Sequence, residues 1–242
     1  MFWVGLVVLI THALEAITGF GCTVLALPFV VELIGLEKAR ILLAILALIL
    51  AIYISITNIK KINFKEYFII LLLSGIGMPI GIYLFNNLDA FWLKKILAVF
   101  IIIASIIQLI KIFSKKDEEL ASGKLNILYY FLLFAGGIVH GAFASGGPLI
   151  VLYAAKKLKD KSEFRATLCL LWTTLNSILI FSFYHANKLN ASTSKDLLYL
   201  MPFLIIGIIT GEIIHRKVNA LLFKKIVFIT LLFVGVVMVF LK

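Results

Sequence analysis

Thr18 to Val30 reads TGFGCTVLALPFV and Gly141 to Tyr153 reads GAFASGGPLIVLY, and the relation between these two stretches decides the fold. With residues 11–40 set over 136–165, an offset of 125, GFGCT (Gly19 to Thr23) falls on ASGGP (Ala144 to Pro148) and Arg40 falls on Arg165. After a five-residue insertion the offset becomes 130, and Gly77, Gly81, Ala90, Lys94, Lys95 and Ile96 fall on Gly207, Gly211, Ala220, Lys224, Lys225 and Ile226. A period this long in an apolar chain is the mark of a membrane protein built from two related halves, with function at the breaks.

Working outward, 63% of the 242 residues are hydrophobic and 14% are charged, against about 25% charged in a soluble domain. Several apolar runs approach or exceed the ~17–20 residues that cross a bilayer. The chain therefore reads as an all-α polytopic protein of the cytoplasmic membrane. Its first run, Phe2 to Thr18, has no basic segment before it and no small-residue cleavage site after it, so it is expected to belong to the mature fold. The net charge of +11 comes from Lys and Arg placed mostly between apolar runs, which sets orientation and gives no reason to expect nucleic acid. Cys22 and Cys169 lie in apolar segments without CxxC or Cys/His spacing, so no disulfide, metal site or other cofactor is expected.

Each half holds five apolar pieces. They run from Phe2 to Thr18, Cys22 to Gly35, Ala39 to Ile59, Glu66 to Phe85 and Phe91 to Phe113. They recur at Leu125 to Ala144, Gly147 to Ala155, Phe164 to Tyr184, Leu197 to Ile214 and Val218 to Leu241. The expected divisions are a first repeat at 1–113, a polar cytoplasmic linker at 114–124 holding KKDEE, and a second repeat at 125–242. The second piece of each half is too short to span ~30 Å of hydrocarbon. It is then either the far end of one broken helix, or half of a re-entrant helical hairpin.

Charge separates the two arrangements. If both short pieces return as hairpins, the 23 Lys and Arg divide 16 against 7 across the membrane, whereas single crossings give 13 against 10. The stronger positive-inside bias favours hairpins. Two hairpins and six full spans follow, with both termini outside the cytoplasm and the second repeat inverted relative to the first. Inverted repeats are a transporter architecture, because two similar halves can exchange conformations and so alternate access to a central site.

At the second break Ser145, Gly146, Gly147 and Pro148 precede LIVLYAA, a helix start made of a capping residue, permissive glycines and a first-turn proline. At the first, Gly19, Phe20 and Gly21 lead into Cys22 and Thr23. A helix beginning at depth presents free N–H groups and the positive end of its dipole to an anion. The alternative is that these glycines only let helices pack closely, which is the preferred reading for the Gly77/Gly81 and Gly207/Gly211 pairs. Glu15 and His140 are equivalent at the 125 offset, each a turn or so before its break, and are candidate proton carriers, with hydrogen bonding between helices as the alternative. In the third piece of the second half, Asn176, beside Thr173, Thr174 and Ser177, is a candidate for a substrate oxygen or a neighbouring helix. Arg40 and Arg165 open the third pieces; interface anchoring is their plainer reading and an anion gate the functional one. His12, Glu32 and Glu212 read as structural.

These segments, with FRATLCLLWTTLNS (Phe164 to Ser177), resemble the paired motifs of the TauE/SafE family of sulfite exporters and anion permeases, over nearly the whole chain. The first break departs from the denser glycine cluster of some members. The resemblance implies export of sulfite or related organosulfonates across the cytoplasmic membrane, with proton coupling. No nucleotide-binding loop is present, so a gradient must drive transport. A permease for another small anion or a carboxylate is the nearest alternative. An integral-membrane enzyme or assembly factor is disfavoured, since no His, Asp or Glu cluster lies inside the apolar pieces. Cysteines introduced at Lys38 and Lys159 test the topology: the hairpin arrangement labels them from opposite sides, and labelling from one side refutes it.

Overall fold

The computed structural model describes residues 1–113, 127–189, 191–215 and scattered positions between 225 and 239. The linker at 114–124 and most of the final apolar piece, 218–241, lie outside the described residues.

The apolar pieces form helices, and no strand occurs among the described residues. They are α1 (Phe2–Thr18), α2 (Cys22–Ile34), α3 (Leu36–Thr57), α4 (Phe64–Asn87), α5 (Ala90–Phe113), α6 (Ile127–Phe143), α7 (Gly147–Lys157), α8 (Lys161–His185) and α9 (Ala191–His215). Four described segments are long and apolar enough to cross a membrane: Leu36–Thr57, Phe64–Asn87, Lys161–His185 and Ser192–His215. The long helices extend two to six residues beyond the expected N-terminal boundaries, and polar residues cap α4 and α8 there. The Asp160 carboxylate accepts the N–H groups of Ser162 at 3.0 Å and Glu163 at 2.8 Å, and Asn63 Oδ1 accepts that of Glu66 at 3.1 Å. Phe68, Leu72, Ile76 and Ile80, four residues apart, form an exposed apolar stripe along α4, as a lipid-facing helix requires.

The described chain gathers into two compact units. One comprises Met1–Leu71 and Asp160–Lys217, the other Leu72–Lys159 and Val218–Lys242. Each unit draws on both sequence halves. In the first, α1 packs on α2 and α9, and α3 packs on α2 and α8. In the second, α6 packs on α7 and on the C-terminal part of α4.

The short helices fold back. A Cβ on Gly146 would stand 2.3 Å from the carbonyl oxygen of Gly136, whereas a continuous helix would separate these residues by ~15 Å. A Cβ on Gly136 would in turn meet Ile150 at 2.7 Å. So α6 and α7 are the arms of a hairpin whose tip is the glycine break. The contact of α1 with α2 makes the same motif at the first break. At 13 and 11 residues, α2 and α7 reach only ~20 and ~17 Å.

The GxxxG pairs serve packing, as expected. Cβ atoms on Gly77 and Gly81 of α4 would lie 2.2 Å from Phe134 O and 1.9 Å from Ile138 O of α6. On Gly207 and Gly211 of α9 they would lie 2.8 Å from Leu9 O and 2.6 Å from Ala13 O of α1. Adding 125 to Leu9 and Ala13 gives Phe134 and Ile138, so one backbone-to-backbone crossing is built twice. The α4–α6 copy is closer because Gly137 and Gly141 also face backbone, with Cβ positions 2.0 Å from Ser74 O and 2.1 Å from Met78 O. Gly81→Ala and Gly137→Ala are expected to destabilise the protein by at least the ~1–3 kcal/mol of an overpacked core, read as a lower midpoint of thermal unfolding in detergent. Gly75→Ala, with nothing within 4 Å of its Cβ position, is the control and should not lower it.

Candidate functional site

At the first break α1 ends because Gly19 turns left-handed, with φ of 84°, and its N–H bonds Glu15 O at 2.7 Å. Thr18 Oγ1 accepts the Phe20 N–H at 3.0 Å, closing the next turn. Gly21, with φ of 106°, then releases the chain into α2. The N–H of Cys22, the first residue of α2, is taken: Glu15 Oε2 accepts it at 2.8 Å. Glu15 is thus the cap of the second arm of its own hairpin, supplied from the first arm. The Phe20 ring meets Phe164 edge-on at 6.2 Å, and Thr23 Oγ1 lies 3.6 Å from Cys22 Sγ.

Helix α8 closes over this tip. Trp172 Nε1 donates to Gly19 O at 2.7 Å. A Cβ on Gly19 would fall 2.8 Å from the Cα of Arg165, so only glycine fits beneath that turn of α8. Arg165 is 3% exposed and its guanidinium pairs with Glu212 of α9. Arg40, its repeat equivalent, is 2% exposed and places its guanidinium over the Phe183 ring, 4.9 Å from the centroid. Neither arginine reaches out towards an interface; both are covered by protein. His215 Nδ1 lies 2.7 Å from Ile17 O and, since a carbonyl only accepts, carries the proton there.

On α8 the polar residues separate by what they bond. Thr173 and Ser177 hydroxyls donate to carbonyls one turn back, at 2.9 and 2.7 Å. Thr174 Oγ1 bonds the Tyr67 hydroxyl at 2.8 Å. Asn176, one turn from Trp172, is buried, and its Oδ1 has no partner among the described residues.

At the second break Ala144 takes the left-handed turn, with φ of 55°, and α7 starts after Gly146 with Gly147 and Pro148 in its first turn. Here no side chain among the described residues caps the helix. Ser145, just ahead of it, is 4% exposed, and its hydroxyl has no partner among the described residues. Pro148 has no N–H, so the donors of this first turn are those of Gly147 and Leu149. His140 is buried in the facing arm, its Cβ 2.8 Å from where a Gly146 Cβ would stand.

A profile described as sulfite exporter TauE/SafE matches residues 4–238. The chain belongs to that family. A curated relative from Comamonas testosteroni, named "Probable inner membrane transporter protein TsaS", is 22% identical over 162 residues, or 66% of this chain and 66% of that one. No solved structure matches. This TauE/SafE member is a multi-pass protein of the cell membrane, and it spans just under two thirds of that relative's length.

Of the residues singled out in the sequence, Gly19 to Thr23, Glu15, Arg165 and Asn176 fall in the first compact unit. Ser145 to Pro148 and His140 fall in the second. The reading of the sequence passed over Trp172 as a contact and took Glu212 as structural without naming its partner. The repeat gave no signal for Glu212, because its counterpart at the 130 offset is Ile82. Trp172→Phe is expected to cost about 1–3 kcal/mol, the penalty for leaving the buried Gly19 carbonyl without its donor, measured as a fall in the thermal unfolding midpoint. A midpoint equal to wild type would show that the bond contributes nothing.

Proposed function

We propose that the chain is a secondary transporter that exports small sulfur-containing oxyanions, sulfite or short organosulfonates, by alternating access of two inverted repeats. The observation that carries this reading is the start of α7: a buried helix N-terminus with no side-chain cap, beside a buried serine hydroxyl that has no partner among the described residues. Such a site offers several N–H and O–H donors and the positive end of a dipole where water is scarce, and an anion satisfies them together. A sulfonate or sulfite headgroup has three oxygens to distribute among these donors. His140, on the facing arm, is the group assigned to carry the coupling proton, since an imidazole can take up and release one.

A small carboxylate is the second reading. The observation favouring it is that a carboxylate, that of Glu15, already lies on the equivalent helix start at the first break.

Purified protein in proteoliposomes, offered sulfite, thiosulfate, short sulfonates and carboxylates with and without an imposed pH gradient, separates the readings. The expected result is gradient-dependent flux of a sulfur oxyanion, with an apparent KM raised roughly tenfold by Ser145→Ala, the loss of one hydrogen bond to a charged group. Flux insensitive to the pH gradient removes the proton. Transport of none of these anions removes the proposed function altogether.

A further inference from the structure

The two breaks are equivalent in sequence but not in how their helix starts are satisfied. At the 125 offset Glu15 corresponds to His140, Gly21 to Gly146 and Cys22 to Gly147. In the first copy the carboxylate of Glu15 accepts the opening N–H of α2 at 2.8 Å. In the second copy the residue at the carboxylate's position is an imidazole, and no side chain among the described residues accepts the opening N–H of α7. The first copy carries its acidic group covalently. The second has exchanged its anion for a group that can bear positive charge, and it keeps a buried, unpartnered Ser145 hydroxyl beside the vacated position.

We infer that the chain holds one anion site, at the start of α7, and that the Glu15 carboxylate is the tethered counterpart, at α2, of the acidic group of the transported substrate. This rests on the transport reading above and narrows it. The ligand is a small anion that approaches α7 head-on with one acidic group, a sulfite, sulfonate or carboxylate. Its oxygens take the N–H groups of Gly147 and Leu149 and the Ser145 hydroxyl. The site stays narrow because the hairpin arms touch through glycine: position 146 has no room for a Cβ against Gly136. Glu15 is then no part of substrate binding. It fills the first break permanently, so that a helix start inside the membrane is never left without an anion or an acceptor.

The test exchanges the two copies' chemistry. Sulfite is the probe, titrated calorimetrically into purified full-length protein in detergent, with the thermal unfolding midpoint of each variant recorded without anion. The wild type should bind about one equivalent per chain, the number of open helix starts. His140→Glu places a carboxylate at the position Glu15 holds in the first copy. It is expected to weaken sulfite binding by about a hundredfold, through the cost of setting like charges together, while the midpoint stays at or above that of wild type. Glu15→Ala opens the first break and is expected to add a second, weaker equivalent. A folded His140→Glu that binds sulfite within about threefold of wild type, or a folded Glu15→Ala that still binds one equivalent, overturns the inference. Either result leaves the transport reading standing if the wild type binds. A wild type that binds neither sulfite nor the other anions of the transport panel overturns both.

Discussion

A helix that begins buried inside a protein cannot leave its first N–H groups to water, and the rest of this structure depends on how that requirement is met. Each unsatisfied group at such depth costs several kcal/mol. The hairpins at Gly19 to Cys22 and Ala144 to Gly147 create the problem, because both reverse the chain and start a short helix at their tips. At the first, Glu15 meets it from within the same hairpin, and Trp172 satisfies the Gly19 carbonyl from α8. Burying a carboxylate there is tolerable because it sits at the positive end of the α2 dipole and accepts a backbone hydrogen bond. The second tip repeats the left-handed turn, with Ala144 in the place of Gly19, but Gly146 is right-handed where Gly21 is left-handed, and the carboxylate is missing.

Close backbone approach is the second constraint, and it explains where the glycines went. In a bilayer the hydrophobic effect does little to hold one apolar helix to another, so intimate packing must supply the adhesion. Phe134 and Ile138 of α6 face Gly77 and Gly81, while Leu9 and Ala13 of α1 face Gly207 and Gly211. The large side chains at 134 and 138 are no obstacle, because it is their carbonyls, not their side chains, that the glycines meet. In both copies the first helix of one half is held by the fourth helix of the other. Each compact unit therefore draws on both sequence halves, although the repeat boundary falls between them.

Much of this was legible in the sequence, since apolar runs and their breaks follow directly from bilayer thickness and glycine chemistry. The limits of α1 at Phe2 and Thr18 and the starts of α2 at Cys22 and α7 at Gly147 match what the runs imply. The shortness of α2 and α7 and the distribution of charge pointed to hairpins, and the contact of Gly136 with Gly146 has that geometry. Other features left no trace because they depend on residues far apart in the chain. Arg165 is paired by Glu212, forty-seven positions away, and Trp172 reaches Gly19 across more than half the chain. Position in a run argued that Arg40 and Arg165 would reach for an interface. In the fold, π-electrons of Phe183 and the carboxylate of Glu212 compensate them inside the protein instead.

Duplication followed by divergence gives a physical reason for the asymmetry of the two tips. A protein with two uncapped helix starts at depth would be costly whenever its ligand was absent, and one with both starts capped by its own carboxylates would hold nothing else. Keeping Glu15 in one copy and His140 in the other lies between these extremes. The capped tip, pinned by Trp172 and by the backbone of Arg165 against Gly19, contributes rigidity whether or not a ligand is bound. The second tip stays underbonded among the described residues, with Ser145 buried and no described side chain on the α7 start. Binding energy available only when a ligand arrives is what a carrier needs, because a carrier must release what it holds as readily as it takes it. If the α7 start is the proposed anion site, an internal carboxylate at both tips would be the more stable protein and the worse transporter.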